Sequence, residues 1–527
     1  MMGRKTKKII VNNYWIVTAI FIVVKLSLHF ATAERYELLR DEMLFFNMGK
    51  HLDAGYVSVP PLTGLLAFIS MKVFGFSVFG IRFFPALAGA SSLLIISLIV
   101  KELGGKIPAL VISCTGYLLA PGFLIVNSLF TPNAIEELIW LLITWLLFLM
   151  VRRNRPVLWI PVGLLVAIGF LNKYSVLFVV AAFLIAMVSS RYRYLLASRY
   201  FLFSLVTGLV IVFPNLLWQY NHGWPVIRHM TELKSSQLDL LGSLEFPVSL
   251  YAFSQGSVFI WIIGLAGLLF SREGKELRFF GFATTLILAI LMLLKGKGYY
   301  GLGCLPFLLA FGGYLLESRL TRLVFLRNAL FLFTSFMSIL AIPSGLPVLS
   351  YDNYSRYVQA TRRYIVHPLL RWDNGTYHDF SQAWSDMTGW EELVGYVKKA
   401  YESLGEDERG NCTIFGERNY GYAGAVFFYG YQYNLPEAIT FHDSYVFWAP
   451  DSISAGPLIY IYRDINGLDS LFSDIKEVGS VENKYFREKG LKVYLCKSPL
   501  VDIRAIYKNL ASEEKSKYSR RSGSKVL

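Results

Sequence analysis

The sequence predicts a polytopic α-helical membrane protein with about 11 transmembrane helices, interfacial helices in the first outer loop, and a C-terminal extracytoplasmic α/β domain. Three observations predict it. Of 527 residues, 54% are hydrophobic and only 17% charged, where an average soluble domain is nearer a quarter charged. Long apolar runs recur at short spacing as far as about residue 345. The loops between those runs alternate in charge.

The first apolar run, about Ile9 to Phe30, is too long for a signal-peptide core, and no small-residue cleavage site follows it, so it reads as a retained helix. Further spans are expected near 82–100, 107–126, 134–151, 157–172, 174–190, 200–218, 252–270, 278–295, 298–316 and 323–342. Crossing hydrocarbon about 30 Å thick takes about 20 residues at 1.5 Å each. With the MMGRKTKK terminus taken as cytoplasmic, every second loop should be basic. Those loops are KELGGK, VRRNRP, SSRYRYLLASRY, SREGKELR and ESRLTRLVFLR. The net charge of +14 therefore belongs to membrane sidedness, and no nucleic-acid partner is expected. The odd number of spans places the chain after about Pro343 outside the cytoplasm, in a multi-pass protein of the plasma (inner) membrane.

The opposite loops collect carboxylates, amides, lysines and aromatics. The first, RDEMLFFNMGKHLDAGYVSVPPL, holds Asp41, Glu42, Lys50, His51 and Asp53. Others hold Asn127 to Asn133, Asn172-Lys173-Tyr174, Pro214 to Pro225, and Lys295 to Tyr300. A charge at a span centre costs about 2.5–3.5 kcal/mol, so Lys173 needs a partner or an interface. A lysine snorkelling from a tight turn is one account of it. Lys295 and Lys297 on the same side make a shared anion the better one. Residues 61–76 are apolar but too close to the loop for a clean span, and read as an interfacial helix; an irregular re-entrant span is the alternative. Lysines bind phosphate as point charges, aromatic faces pack on sugars or isoprenoid, and a carboxylate can take a proton from a hydroxyl. A lipid-phosphate-linked sugar needs all three at one membrane face.

The run DEMLFFNMGKHLDAGYVSVPPLTGLLAFISMKVFG, with GIRFFPALAGA after it, resembles the N-terminal signature of prokaryotic glycosyltransferase family 39. That family is related to the dolichyl-phosphate-mannose protein mannosyltransferases and the lipid A aminoarabinose transferase. The resemblance continues through LNKYSVLF, PNLLWQYNHGWP, KGYYGLGCLPFLLAFGGYLLE, DMTGWEELVGYVKKAY and NYGYAGAVFFYG, covering about residues 35 to 500. It implies the GT-C fold and transfer of a sugar from a polyprenyl-phosphate donor to a protein, lipid or glycan acceptor at the outer face. It places the essential acidic pair on Asp41 and Glu42, with Asp41 as general base and Glu42 as orienter or alternate. Asp41 also stands where it would cap the helix that follows. Lys173, Lys297 and Tyr299 become donor-phosphate contacts; His51, Tyr300, Trp218, Gln219 and His222 line the substrate cavity. No cofactor is expected beyond the polyprenyl-phosphate sugar itself. His222 with a loop carboxylate is a combination that would hold a metal, but no dense ligand set surrounds it. Many relatives carry an acid two positions before the Pro-Pro pair, where this chain has Ser58.

Three domains follow: a transmembrane catalytic domain at 1–345, an α/β domain at 346–510, and a basic, disordered tail at 511–527. In the second, GWEELVGYVKKAYESL has helical spacing, with acids early and lysines late. NCTIFG, PLIYIYRD and LKVYLCK read as strands. Its aromatic runs, Tyr420 to Tyr433 and Tyr445 to Trp448, read first as core and second as a glycan-stacking surface. Cys412 and Cys496 are candidates for a disulfide. Two other functions compete. A lipid-linked sugar transporter or flippase would need mid-depth polar groups and inverted repeats, and no internal repeat is evident. A non-catalytic glycan-binding descendant would not need Asp41-Glu42.

Overall fold

The computed structural model describes residues 4–242, 244–362, 367–465 and 467–519. They form two compact units, each assembled from separated stretches: the first from residues up to Arg35, Arg82–Phe213 and Lys234–Asp379, the second from Tyr36–Ile81, Pro214–Leu233 and Phe380 onward.

The first unit is helical. Each of the eleven stretches predicted as spans is occupied by helix, but they differ in length. Among the described residues seven helices are long and apolar enough to cross a membrane: Asn13–Thr32, Val78–Leu103, Pro132–Arg153, Arg199–Asn221, Glu245–Phe270, Lys275–Leu293 and Gly298–Arg319. Val176–Val188 and Arg191–Ala197 would add an eighth, but they are bent by 117° at Ser189-Ser190. Ile107–Leu118, Pro156–Asn172 and Val324–Leu340 are shorter. The stretch 107–126 breaks because Pro121 has no N–H to continue the helix, which restarts as Pro121–Val126.

A buried polar network ties this unit together. Lys25 Nζ donates to the Phe123 carbonyl at 2.9 Å and sits 5.0 Å from the centre of the Tyr117 ring. Tyr117 donates to Glu137 at 2.8 Å, and Asn127 Nδ2 donates to the same carboxylate at 3.1 Å. Lys25 and Glu137 are almost wholly inaccessible. Buried charges of opposite sign, each with hydrogen bonds, are the arrangement a low-dielectric interior requires.

The second unit contains the predicted helices Leu62–Phe74 and Trp390–Glu402 and a four-stranded sheet. The strands are β1 (Thr413–Gly416), β2 (Leu458–Tyr462), β3 (Phe472–Ser480) and β4 (Lys492–Pro499), in the order β1-β2-β4-β3. β1 pairs parallel to β2 and the other neighbours pair antiparallel. The parallel pair needs a crossover, and the helix Tyr420–Tyr429 lies within it. Every residue of that helix after Tyr420 is buried, so the first aromatic run is largely core, although Tyr431 beyond it is exposed. β1, β2 and β4 fall on the predicted runs. β3 was not predicted because FSDIKEVGS is an edge strand with few buried side chains. Cys412 and Cys496 are free thiols. β2 separates their strands, which puts them about 10 Å apart against the ~7 Å that a disulfide spans. The helix Ile503–Ser516 runs into the predicted disordered tail, anchored by buried Tyr507 and Ala511; residues 520–527 lie outside the described residues.

Candidate active site

Asp41 and Glu42 begin the helix Arg40–Met48 and point to different fates. Glu42 is fully buried and its Oε2 accepts the Leu39 N–H at 2.9 Å. It therefore satisfies an otherwise unpaired donor at the helix start, the capping role that the sequence offered to Asp41. Asp41 keeps 40% of its side chain exposed. Its Oδ1 accepts from the Tyr420 hydroxyl at 2.5 Å and lies 3.6 Å from Arg40 Nε. The Arg40 guanidinium also lies 5.0 Å from the centre of the Tyr420 ring.

Tyr420 is set by its own turn. Arg418 has φ +60°, and the Asn419 side chain accepts the Gly421 N–H at 2.8 Å, starting the helix at Tyr420. The Tyr420 N–H donates to His442 Nδ1 at 3.3 Å, and the two rings stack 5.0 Å apart. Burial lifts the Tyr420 phenol well above its usual range; Arg40 opposes this and the charge of Asp41 adds to it. The phenol thus stays protonated and is the donor. Arg40 also feels the charge of buried Asp386, which is paired with Arg487 at 2.9 Å and whose carboxyl is raised by burial against the pull of both arginines. His442 also lines a cavity of about 710 Å³, with Glu417 and Arg418 beside it and mostly apolar walls of the Phe415, Tyr460 and Ile503 kind.

The other predicted residues of this unit form an aromatic floor. His51 stacks on Trp448 at 4.5 Å and 11°. Burial, helped by Lys50, lowers its ring to about 4, so its 3.7 Å approach to Glu437 is not an ion pair at neutral pH. Trp218 is buried and stacks on His222 at 4.1 Å. His222 Nδ1 donates to the Trp218 carbonyl at 2.8 Å. Gln219 is used by backbone: its Oε1 accepts the Val226 N–H at 3.3 Å and its Nε2 donates to the Tyr56 carbonyl at 3.4 Å. A Cβ on Gly55 would lie 2.5 Å from the Trp218 ring, so the loop can rest on the indole only with glycine there. Ser58 Oγ is buried without a hydrogen-bond partner among the described residues.

Lys173, Lys297, Tyr299 and Tyr300 belong to the helical unit. Lys173 Nζ donates to Glu136 at 2.7 Å and to Asn133 at 2.8 Å, and sits 4.7 Å from the centre of the Tyr300 ring. Ser175 also donates to Glu136. Lys297 Nζ donates to Asp373 at 2.6 Å and Gln237 at 2.7 Å. Tyr299 and Tyr300 meet edge to face at 4.6 Å. Both lysines thus carry a carboxylate partner that the sequence did not assign. Glu136 was findable, since an acid inside an apolar span must be compensated. Asp373 was not, being 76 residues from Lys297. The contacts of Arg40 and Tyr420 with Asp41 were not foreseen either, although Arg40 adjoins Asp41 and Tyr420 is the second residue of NYGYAGAVFFYG. Among the described residues no three His, Cys, Asp or Glu side chains are grouped to hold a metal.

Residues 58–218 match the family model described as dolichyl-phosphate-mannose-protein mannosyltransferase. The chain is 27% identical over 201 residues to the lipid A galacturonosyltransferase RgtD of Rhizobium johnstonii, covering 37% of this chain and 41% of that protein. It is 27% identical over 197 residues to the putative mannosyltransferase YkcB of Bacillus subtilis, covering 36% and 25%. The matches thus span less than half the length of these relatives. The fold matches ArnT from Cupriavidus metallidurans bound to undecaprenyl phosphate with a TM-score of 0.59 at 13% identity, over 91% of this chain and 98% of that one. The apo state of the same protein gives 0.60. The chain therefore has the fold of ArnT over nearly its whole length, and its residues 58–218 are similar to the dolichyl-phosphate-mannose-protein mannosyltransferase family.

Proposed function

We propose that this protein is a membrane glycosyltransferase that moves a sugar from a polyprenyl-phosphate donor to an acceptor hydroxyl at the outer face of the membrane, with inversion. The observation that carries the reading is the state of Asp41. It is the exposed member of the acidic pair and holds a protonated phenol as hydrogen-bond donor. The acceptor oxygen attacks the anomeric carbon while Asp41 takes its proton. The bond from that carbon to the phosphate oxygen breaks, and its electron pair leaves with the polyprenyl phosphate. That leaving group is already an anion, so no strong general acid is needed. Lys173 and Lys297 are cations of the kind a phosphate needs, and each would exchange or share its carboxylate partner, Glu136 or Asp373, to serve one. Trp218, His222 and His51 offer aromatic faces for the sugar or acceptor.

The test is transfer in lipid nanodiscs, with radiolabelled undecaprenyl-phosphate sugars as donors and cell-envelope extract as acceptor. Asp41→Asn should lower the rate by about 10²–10⁴-fold with donor binding retained. A variant that transfers as well as wild type overturns the assignment of Asp41. Movement of donor across a liposome membrane without transfer would make the protein a transporter.

A further inference from the structure

We propose that Tyr420 is a positioning residue for the reaction: its hydroxyl fixes the orientation of the Asp41 carboxylate, with Arg40 and His442 fixing the phenol. The inference rests on the reading of Asp41 as base. A carboxylate that serves as base must arrive unprotonated and aimed, and Asp41, partly exposed at the start of a helix, has rotamers to lose. Its Oδ1 is bound by the phenol at 2.5 Å, which leaves Oδ2 for the acceptor proton. The phenol is itself over-determined. Its ring lies 5.0 Å from the Arg40 guanidinium and stacks on the His442 imidazole, and its backbone N–H is anchored on the same imidazole. Arg418 at φ +60° and Asp443 at φ +54° are non-glycine residues in the left-handed region, and they stand beside Tyr420 and His442. Strain of that kind persists only where the surroundings enforce it, and it concentrates at functional sites. Asp443 is enforced: its Oδ1 accepts from the Ser444 N–H at 2.6 Å and the Ser444 hydroxyl at 2.8 Å, and Ser444 Oγ accepts the Val57 N–H at 3.0 Å. The charged and titratable groups around Asp41 include Arg40 on its own helix, Tyr420 at the head of the helix Tyr420–Tyr429, and Asp386, with Arg487, Glu488, His442 and Asp443 one step beyond. Among them Tyr420 donates the hydrogen bond to the Asp41 carboxylate. Losing the phenol hydroxyl frees that carboxylate to turn among its rotamers.

The experiment compares wild type, Tyr420→Phe, 3-fluorotyrosine at position 420 and Asp41→Asn in nanodiscs, each checked by thermal melting. Two measurements are made: steady-state kinetics with the undecaprenyl-phosphate sugar that wild type uses, and infrared difference spectra against Asp41→Asn, which follow the carboxylate stretching bands of residue 41 with no substrate present. In Tyr420→Phe the splitting between the antisymmetric and symmetric carboxylate bands should change as the phenol's hydrogen bond is lost. kcat should fall about tenfold while KM stays within about twofold. The more acidic fluorophenol, a stronger donor, should shift the bands the other way. If Tyr420→Phe loses rate or melting temperature without changing those bands, its role is packing and the inference is overturned, while an inactive Asp41→Asn leaves the base reading standing. If Asp41→Asn transfers as wild type does, both fail together.

Discussion

Asp41 and Glu42 show what a sequence can and cannot say about one residue. Adjacent acids at the head of a helix are legible as a pair, but which one faces solvent depends on the helix phase and on a partner 379 residues away. Here the burial and the capping went to Glu42, which leaves Asp41 partly exposed. The same limit applies to Lys173. Its need for compensation was legible; the identity of Glu136 as the partner depends on two helices that only the fold brings side by side. His51 carries a consequence for stability. The unfolded chain binds a proton there as the pH falls through about 6.5, whereas the folded ring, buried and next to Lys50, resists until about 4. The unfolded state therefore holds more protons across that window, and stability is lost as the pH drops through it. His51→Phe keeps an aromatic stack on Trp448 and removes the titration. Its melting temperature should fall less than that of wild type between these two pH values, and parallel curves would remove His51 from the account.

At the scale of elements, close helix packing replaces the hydrophobic drive that lipid cannot supply. The helices Val258–Phe270 and Leu305–Arg319 approach through reciprocal glycines: a Cβ on Gly264 would meet the Leu308 carbonyl oxygen at 2.1 Å, and one on Gly312 would meet that of Ile260 at 2.1 Å. Backbone atoms cannot rotate away as a side chain can. Gly312→Leu should therefore lower the melting temperature in nanodiscs by the equivalent of about 1–3 kcal/mol or more. Gly395→Ala, in the helix Trp390–Glu402, is the contrast: its Cβ meets nothing, and it should raise stability by about 0.5–1 kcal/mol. Equal effects at the two sites would mean that propensity, not contact, decides. The glycines are visible in GLAG and FGG, but their pairing is not, because apolar periodicity specifies a buried stripe without naming what it packs against. Edge strand β3 escaped for the opposite reason, having too little burial to leave a pattern.

For the whole molecule, the strongest signal in the sequence is the distribution of charge. The basic loops fall between helices at Arg152–Arg155, Arg191–Arg193, Arg272–Arg278 and Arg319–Arg327, and the intervening turns carry Asn133, Lys173 and Lys297. That alternation is a physical argument for orientation, since Lys and Arg resist translocation. It survives the shortness of several helices, because a broken or tilted segment still moves its flanking loop from one side to the other. The alternation predicts that the loop bearing Lys275 is cytoplasmic and that Ser454, in the unit bearing the sheet, is on the opposite side. Single cysteines at Lys275 and Ser454 test this, since both positions are exposed while Cys114, Cys304 and Cys496 are buried. A membrane-impermeant maleimide applied to right-side-out vesicles should label Ser454→Cys at once, and Lys275→Cys only after permeabilisation, with wild type setting the background from half-buried Cys412. The reverse pattern would place Asp41 on the cytoplasmic side. The proposed transfer would then draw on donor in the inner leaflet, and the basic loops would need a reason other than topology.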